Sequence, residues 1–182
     1  MNRSDPAARC YAEALLLIGK KGKRLGAVLE DLRAVAGVFH AERRLWDLWT
    51  SPRIDRKVKE DFIRRAYTSR IGPEVLGLLI VMVHKGRESL FDNVVAQFEG
   101  FHDTEQNRIH VHVSSARGIE GDVKSAIEKA VAEASGKTVV LHERTDPSLI
   151  AGLVVRVGDI VVDGSIRSRL REIGARLATD RI

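Results

Sequence analysis

One cysteine, Cys10, stands in a chain of 182 residues. No intrachain disulfide can form, which suits a reducing compartment. A thiol nucleophile would also need a base partner nearby in the fold, which a sequence does not show, whereas a free cysteine is usually buried. Cys10 is therefore expected to be a small buried side chain of the first helix. Aromatic residues are scarce at 5%. The core must be built mainly from Leu, Ile, Val and Ala, which favours helices packed on helices. Long apolar runs are absent too. The longest, residues 75–83, is far too short to span a bilayer. The opening "MNRSDPAARCYAEALLLIG" lacks a secretory pattern, because its apolar run is short and holds Glu13. No transit segment is read there either, which leans toward a bacterial chain.

Charge of one sign is also missing. Lys and Arg number 30 against 25 Asp and Glu, for a net charge of +5. The two signs are interspersed. The densest basic run is Lys20, Lys21, Lys23 and Arg24. It reads as a solvated turn between helices or as a contact with an acidic partner. It contains no aromatic residue on which a base would stack, so single-strand nucleic-acid binding is poorly supported. Phosphate fingerprints are lacking as well. "GKKGKRLG" does not have Walker spacing, and no Gly-x-Gly-x-x-Gly occurs. There is no internal repeat.

What the chain does have is periodicity. Apolar residues at Tyr11, Leu15 and Ile18 mark a first helix, which Asp5-Pro6 starts and Gly19 and Gly22 close. Further helical stripes run through Leu25, Val28, Leu29, Leu32, Val35, Ala36 and Phe39, through Leu45 to Trp49, and through Val58, Phe62, Ile63 and Ala66. The last of these is expected to end near Ile71-Gly72. Pro73 then opens "EVLGLLIVMVHKG", apolar nearly all round and expected to be the most buried helix of a bundle. Phe91, Val94, Val95, Phe98 and Phe101 complete a six-helix bundle over residues 1–105.

The period then changes from 3.6 to 2. "RIHVHVSSA" alternates, with His110 and His112 on one face. A helix, the strand "KTVVLHE", a hairpin "LVVRVGDIVV" turning at Gly158-Asp159, and a closing helix through Ile166, Leu170, Ile173 and Leu177 follow. Residues 106–182 thus read as a small α/β domain, with the boundary near residues 103–108. The fold class is mostly α.

Two patterns invite chemistry. His110 and His112, joined by His142, offer metal ligands, but further ligands would have to come from elsewhere. "DGSIRSR" offers a helix start at Gly164-Ser165 followed by Arg167 and Arg169, an anion site or simply a capped helix. No catalytic constellation stands out. The residues alone favour a binding or scaffold protein over an enzyme, with no cofactor and no metal.

The stretch "DPSLIAGLVVRVGDIVVDGSIRSRL" carries more. It follows the aliphatic Val139, Val140 and Leu141 and combines Asp146, Leu149, Ala151-Gly152, Leu153, Val155, Arg156 and Gly158. It resembles the signature of the delta subunits of F-type ATP synthases, called the oligomycin-sensitivity-conferring protein in mitochondria. "ARCYAEAL" resembles that family's opening helix, and "HKGRESLF" sits where the family has a Gly-Arg turn. Cys10 departs from the family, where Arg or Pro is more usual. The resemblance covers the whole chain in order.

It implies a non-catalytic stator subunit that links the alpha/beta head to the peripheral stalk, so that proton flow drives ATP synthesis. The implied partners are the N-terminal helix of an alpha subunit and the b subunits, with one copy per complex. The implied place is the cytoplasmic face of a bacterial plasma membrane, with no direct insertion and no nucleic acid. The implied groove lies between the first and fifth helices. Tyr11, Ala14, Leu15 and Ile18 would line one wall, and Leu78, Val81 and Met82 the other. Arg156, Arg167, Arg169 and Arg171 would meet the b subunits. The rival readings are a nucleic-acid-binding module using the basic turn and C-terminal arginines, and an anion-binding protein or small enzyme at residues 164–169.

Overall fold

The computed structural model describes residues 5–171. The helical positions read at Ile173 and Leu177 lie outside them. The protein is mostly helical, with a small four-stranded sheet toward its C-terminal end. Contacts divide the chain between residues 105 and 106 into two compact units.

The first unit contains α1 (Pro6–Lys21), α2 (Leu25–Ala41), α3 (Arg43–Thr50), α4 (Arg56–Tyr67), α5 (Pro73–Lys85) and α6 (Phe91–Glu105). The helix count needs one amendment. A 3-10 turn, Glu88–Leu90, precedes α6, and further helix lies in the second unit. The starts follow local chemistry. Asp5 caps α1, its carboxylate accepting from the Ala7 N–H at 2.8 Å, and Pro6 supplies the first helical φ. Asp55 does the same for α4, accepting from the Lys57 N–H at 2.7 Å. Gly86, in the left-handed region at φ 63, ends α5.

Two boundaries differ from expectation. Gly19 does not end α1. It lies inside the helix, buried, where a Cβ would meet Leu25 Cδ2 at 2.9 Å. The helix α4 stops at Tyr67, and a turn leads to Gly72, whose N–H is held by the Asp31 carboxylate at 2.7 Å.

One apolar core fills this unit, drawn from all six helices. Its few aromatics gather together. Phe39 stacks on Trp49 at 5.4 Å and meets Phe91 edge-on at 5.7 Å. Both tryptophans of the chain, Trp46 and Trp49, lie here.

The second unit opens with β1 (Arg108–Ser115), α7 (Gly121–Ser135) and β2 (Thr138–Thr145), a parallel β-α-β unit. The hairpin of β3 (Leu153–Val157) and β4 (Ile160–Asp163) adds antiparallel to β1, giving the order β2-β1-β3-β4. A helix begins at residue 166. The core here is thin. Among the described residues only Val111 and Val113 are fully buried apolar side chains, and α7 buries none.

The Ala151-Gly152 pair of the signature has a steric cause. Gly152 has φ 98, and a Cβ there would lie 2.6 Å from the Gly164 carbonyl oxygen and 2.8 Å from Ser165 Cα. Backbone meets backbone, so nothing larger than hydrogen fits. Gly152→Ala is expected to cost the second unit more than about 2 kcal/mol. Hydrogen exchange should show amides of β1 and β3 losing protection while α2 and α6 keep theirs.

Acid should loosen the same unit. Lys124 and the Ile119 N–H hold the Glu143 carboxyl below the usual range. Ser148 does so for Asp146, and Ser165 for Asp163. Carboxylates lowered by folding stabilise the fold above their unfolded pKa and lose that contribution as pH falls through the folded one. The unit's stability, read by denaturant titration, is expected to be flat near neutrality and to fall below about pH 4.

Candidate binding groove

Two cross-links fix α1 and α5 as antiparallel neighbours. At one end Arg24, just after α1, pairs with Glu74 at the start of α5 at 3.2 Å. At the other end Arg87, just after α5, donates to the Tyr11 hydroxyl at 3.4 Å and lies 5.9 Å from the centre of its ring.

Helical geometry then sorts the candidate residues. Leu15, Leu78 and Met82 point into the core and are buried. Tyr11, Ala14 and Ile18 lie on the flank of α1 that turns toward α5. Tyr11 is half-buried, Ala14 is exposed and Ile18 is 51% exposed. Val81, on the facing flank of α5, is 44% exposed. The helix α5 has the largest buried share of the six, five of 13 residues against six of 17 in α2, as its apolar composition led us to expect, yet it keeps an open side at Val81.

The sequence reading missed Leu17, which extends the patch at 68% exposure. It also misplaced Cys10, which is exposed on the same outer side of α1. Gly77, one turn before Val81, has no heavy atom within 4 Å of where a Cβ would stand. Gly77 and Ala14 leave the open side shallow enough for a helix to approach closely. Gly77→Ala is expected to raise the bundle's stability by about 0.5–1 kcal/mol, because it removes a mid-helix glycine without a clash. A small rise in Tm read by tryptophan fluorescence would check this.

The other candidates resolve differently. His110, His112 and His142 do come together on one sheet face. His142 stacks on both others at 5.0 and 4.8 Å, and His110 Nδ1 lies 2.7 Å from His142 Nε2. Their rings lie face to face. Among the described residues no group of His, Cys, Asp and Glu is arranged to hold a metal ion. The helix start at Gly164-Ser165 caps itself. The Asp163 carboxylate accepts from the Ser165 N–H, and the buried Ser165 hydroxyl accepts from the Ser168 N–H. The Ile166 N–H is taken by the Ala151 carbonyl, so three N–H groups that an anion would use already have acceptors. In the basic turn, Lys20 pairs with Glu105 and Arg24 with Glu74. Neither rival reading gains support.

What remains is an open apolar strip on a well-packed bundle. The family model for the ATP synthase delta (OSCP) subunit matches residues 7–177. The chain belongs to the ATP synthase delta (OSCP) family. It is 32% identical to the ATP synthase subunit delta of Desulforamulus reducens over 93% of this chain and 94% of that one. It is also 32% identical to that of Gemmatimonas aurantiaca, over 98% and 97%. A chain in the Toxoplasma gondii mitochondrial ATP synthase hexamer shares the fold, with a TM-score of 0.71 at 20% identity over 94% of this chain and 97% of that one. Membership in the delta family carries the role of a non-catalytic stator subunit of the peripheral stalk. No helix among the described residues is long and apolar enough to cross a membrane.

In the delta fold's second unit the four candidate arginines are all exposed. Arg156 stands opposite His112 on the open face of the sheet and donates to the Gly158 carbonyl at 3.2 Å. Arg167 acts on Asp146, and Arg171 on Asp163. Exposed apolar residues stand among them: Ile160, Val161 and Val162 on the edge strand β4, which the sequence shows as the second half of the hairpin, and Ile166 and Leu170, read there as a helical stripe, on the helix that follows.

Proposed function

We propose that the open strip between α1 and α5 receives the N-terminal helix of an ATP synthase alpha subunit, and that the second unit meets the b subunits. The observation that carries the first contact is the apolar face left uncovered on a well-packed bundle: Ile18, Leu17 and Val81, with Tyr11 at one end and Ala14 and Gly77 between. A helix-in-groove contact uses such a face. Leu15, Leu78 and Met82 form its floor from below and give it rigidity.

The second contact draws on the exposed β4 residues and on Ile166 and Leu170, with Arg156, Arg167, Arg169 and Arg171 around them. An apolar centre with a basic rim suits an amphipathic, acidic segment. One copy per complex, bridging head and stalk, would keep the head from turning with the rotor. The chain then works on the cytoplasmic face of a bacterial plasma membrane without entering it.

Gel filtration of the chain with the alpha/beta head of the same organism tests the division of labour. Ile18→Asp is expected to abolish co-elution with the head and to leave binding of the soluble b domain intact. Loss of both, or of neither, contradicts it.

A further inference from the structure

The groove's two ends carry the same sign of charge. At the Tyr11 end stand Lys85 and Arg87, both exposed, with His84 beside them. At the opposite end Lys21 lies one turn beyond Ile18 on the same flank of α1. The carboxylates near these ends are engaged within the protein. Glu74 pairs with Arg24, Asp31 holds the Gly72 N–H, and Asp5 caps α1. Glu60, on α4, takes Arg64 and His84, and Glu88 is buried against Lys59. Glu13 lies on the far flank of α1, paired with Arg9.

From Tyr11 to Lys21 is ten residues of α-helix, a rise of about 15 Å. A basic, an apolar and a basic zone therefore follow one another along the groove. We infer that the groove reads its guest by charge at both ends. The guest is an amphipathic helix whose apolar stripe is bounded by two carboxylates about eleven residues apart. Three turns separate such residues, so both lie on the stripe's own face. One meets Arg87 and Lys85, the other Lys21.

Arg87 is also pre-positioned. Its guanidinium is held over Tyr11, so little side-chain freedom is lost when a carboxylate binds. The arrangement selects register as well as partner. A helix shifted by one turn would place an apolar residue against a cation at one end and a carboxylate over Val81 at the other.

This inference rests on the groove reading above, and the test separates the two. Two synthetic 20-residue helical peptides share one Leu/Ala stripe and differ only in carrying Glu or Gln at the two bounding positions. Each is titrated into the full chain by calorimetry. The Glu peptide is expected to bind about tenfold tighter at low salt, with the gap closing at about 0.5 M salt. Lys21→Gln and Arg87→Gln should each remove part of the gap. Equal binding of both peptides, abolished by Val81→Asp, keeps the groove and overturns the charge reading. Failure of both to bind, or binding that Val81→Asp leaves unchanged, removes the groove and this inference with it.

Discussion

Glu88→Ala is expected to cost the bundle about 3–5 kcal/mol. The Lys59 ammonium lies 2.7 Å from the Glu88 carboxylate, and the two side chains are only 3% and 9% exposed. Removing the carboxylate leaves a cation without water and without its partner. That penalty exceeds the net worth of the pair itself. The site is also a junction. The Glu88 carbonyl accepts from Trp49 Nε1 at 3.0 Å, so the 3-10 turn ties α4, α3 and the start of α6 together. For a unit of this size the loss corresponds to a fall in Tm of about 20 °C. Tryptophan fluorescence reads this unit alone, because both tryptophans lie in it. Replacing both partners, Lys59→Met with Glu88→Leu, should recover most of the loss, since no buried charge is then left unpaired. A loss under about 1 kcal/mol in Glu88→Ala would show that water reaches the pair.

The second large effect is on binding. Val81→Asp should weaken the alpha-subunit helix at least about a hundredfold, or about 2.7 kcal/mol, because the carboxylate must be stripped of water under the guest. The fold should hardly notice. Val81 is 44% exposed and packs no partner into the core, so the change in stability belongs within about 0.5–1 kcal/mol. Val161→Asp, on an exposed strand of the other unit, is the matched control and should leave this affinity unchanged.

Much of the architecture was legible because it is written in period and punctuation. The change from 3.6 to 2 after Phe101 separates helices from strands. Asp5-Pro6 and Pro73 mark ends that the structure keeps. The groove was legible only by half. Periodicity tells that Leu15, Ile18, Met82 and Val81 are apolar on two helices. It does not tell how wide a stripe the neighbours cover, and that width decides that Leu15 and Met82 are core while Ile18 and Val81 face outward.

Pairings across the fold were invisible for the same reason. Lys59 reads as part of the polar face of α4, and nothing in its neighbourhood announces a carboxylate 29 residues away. The histidines show the converse. Alternation placed His110 and His112 together, but only the parallel register of β1 and β2 sets His142 beside His112. Contact alone then gives stacked rings, and among the described residues no group is arranged to hold a metal ion.

The proposed contact on which the stator role of the first unit turns is that of α1 and α5 with an alpha-subunit helix. Calorimetric titration of the full chain with a synthetic peptide of about 20 residues, from the N-terminus of the same organism's alpha subunit, tests it most directly. One-to-one binding near nanomolar, about −12 kcal/mol, is expected, and its loss in Val81→Asp with an unchanged Tm. A well-folded chain that does not bind the peptide, or that binds it equally well with Asp at position 81, would show that α1 and α5 do not hold this helix.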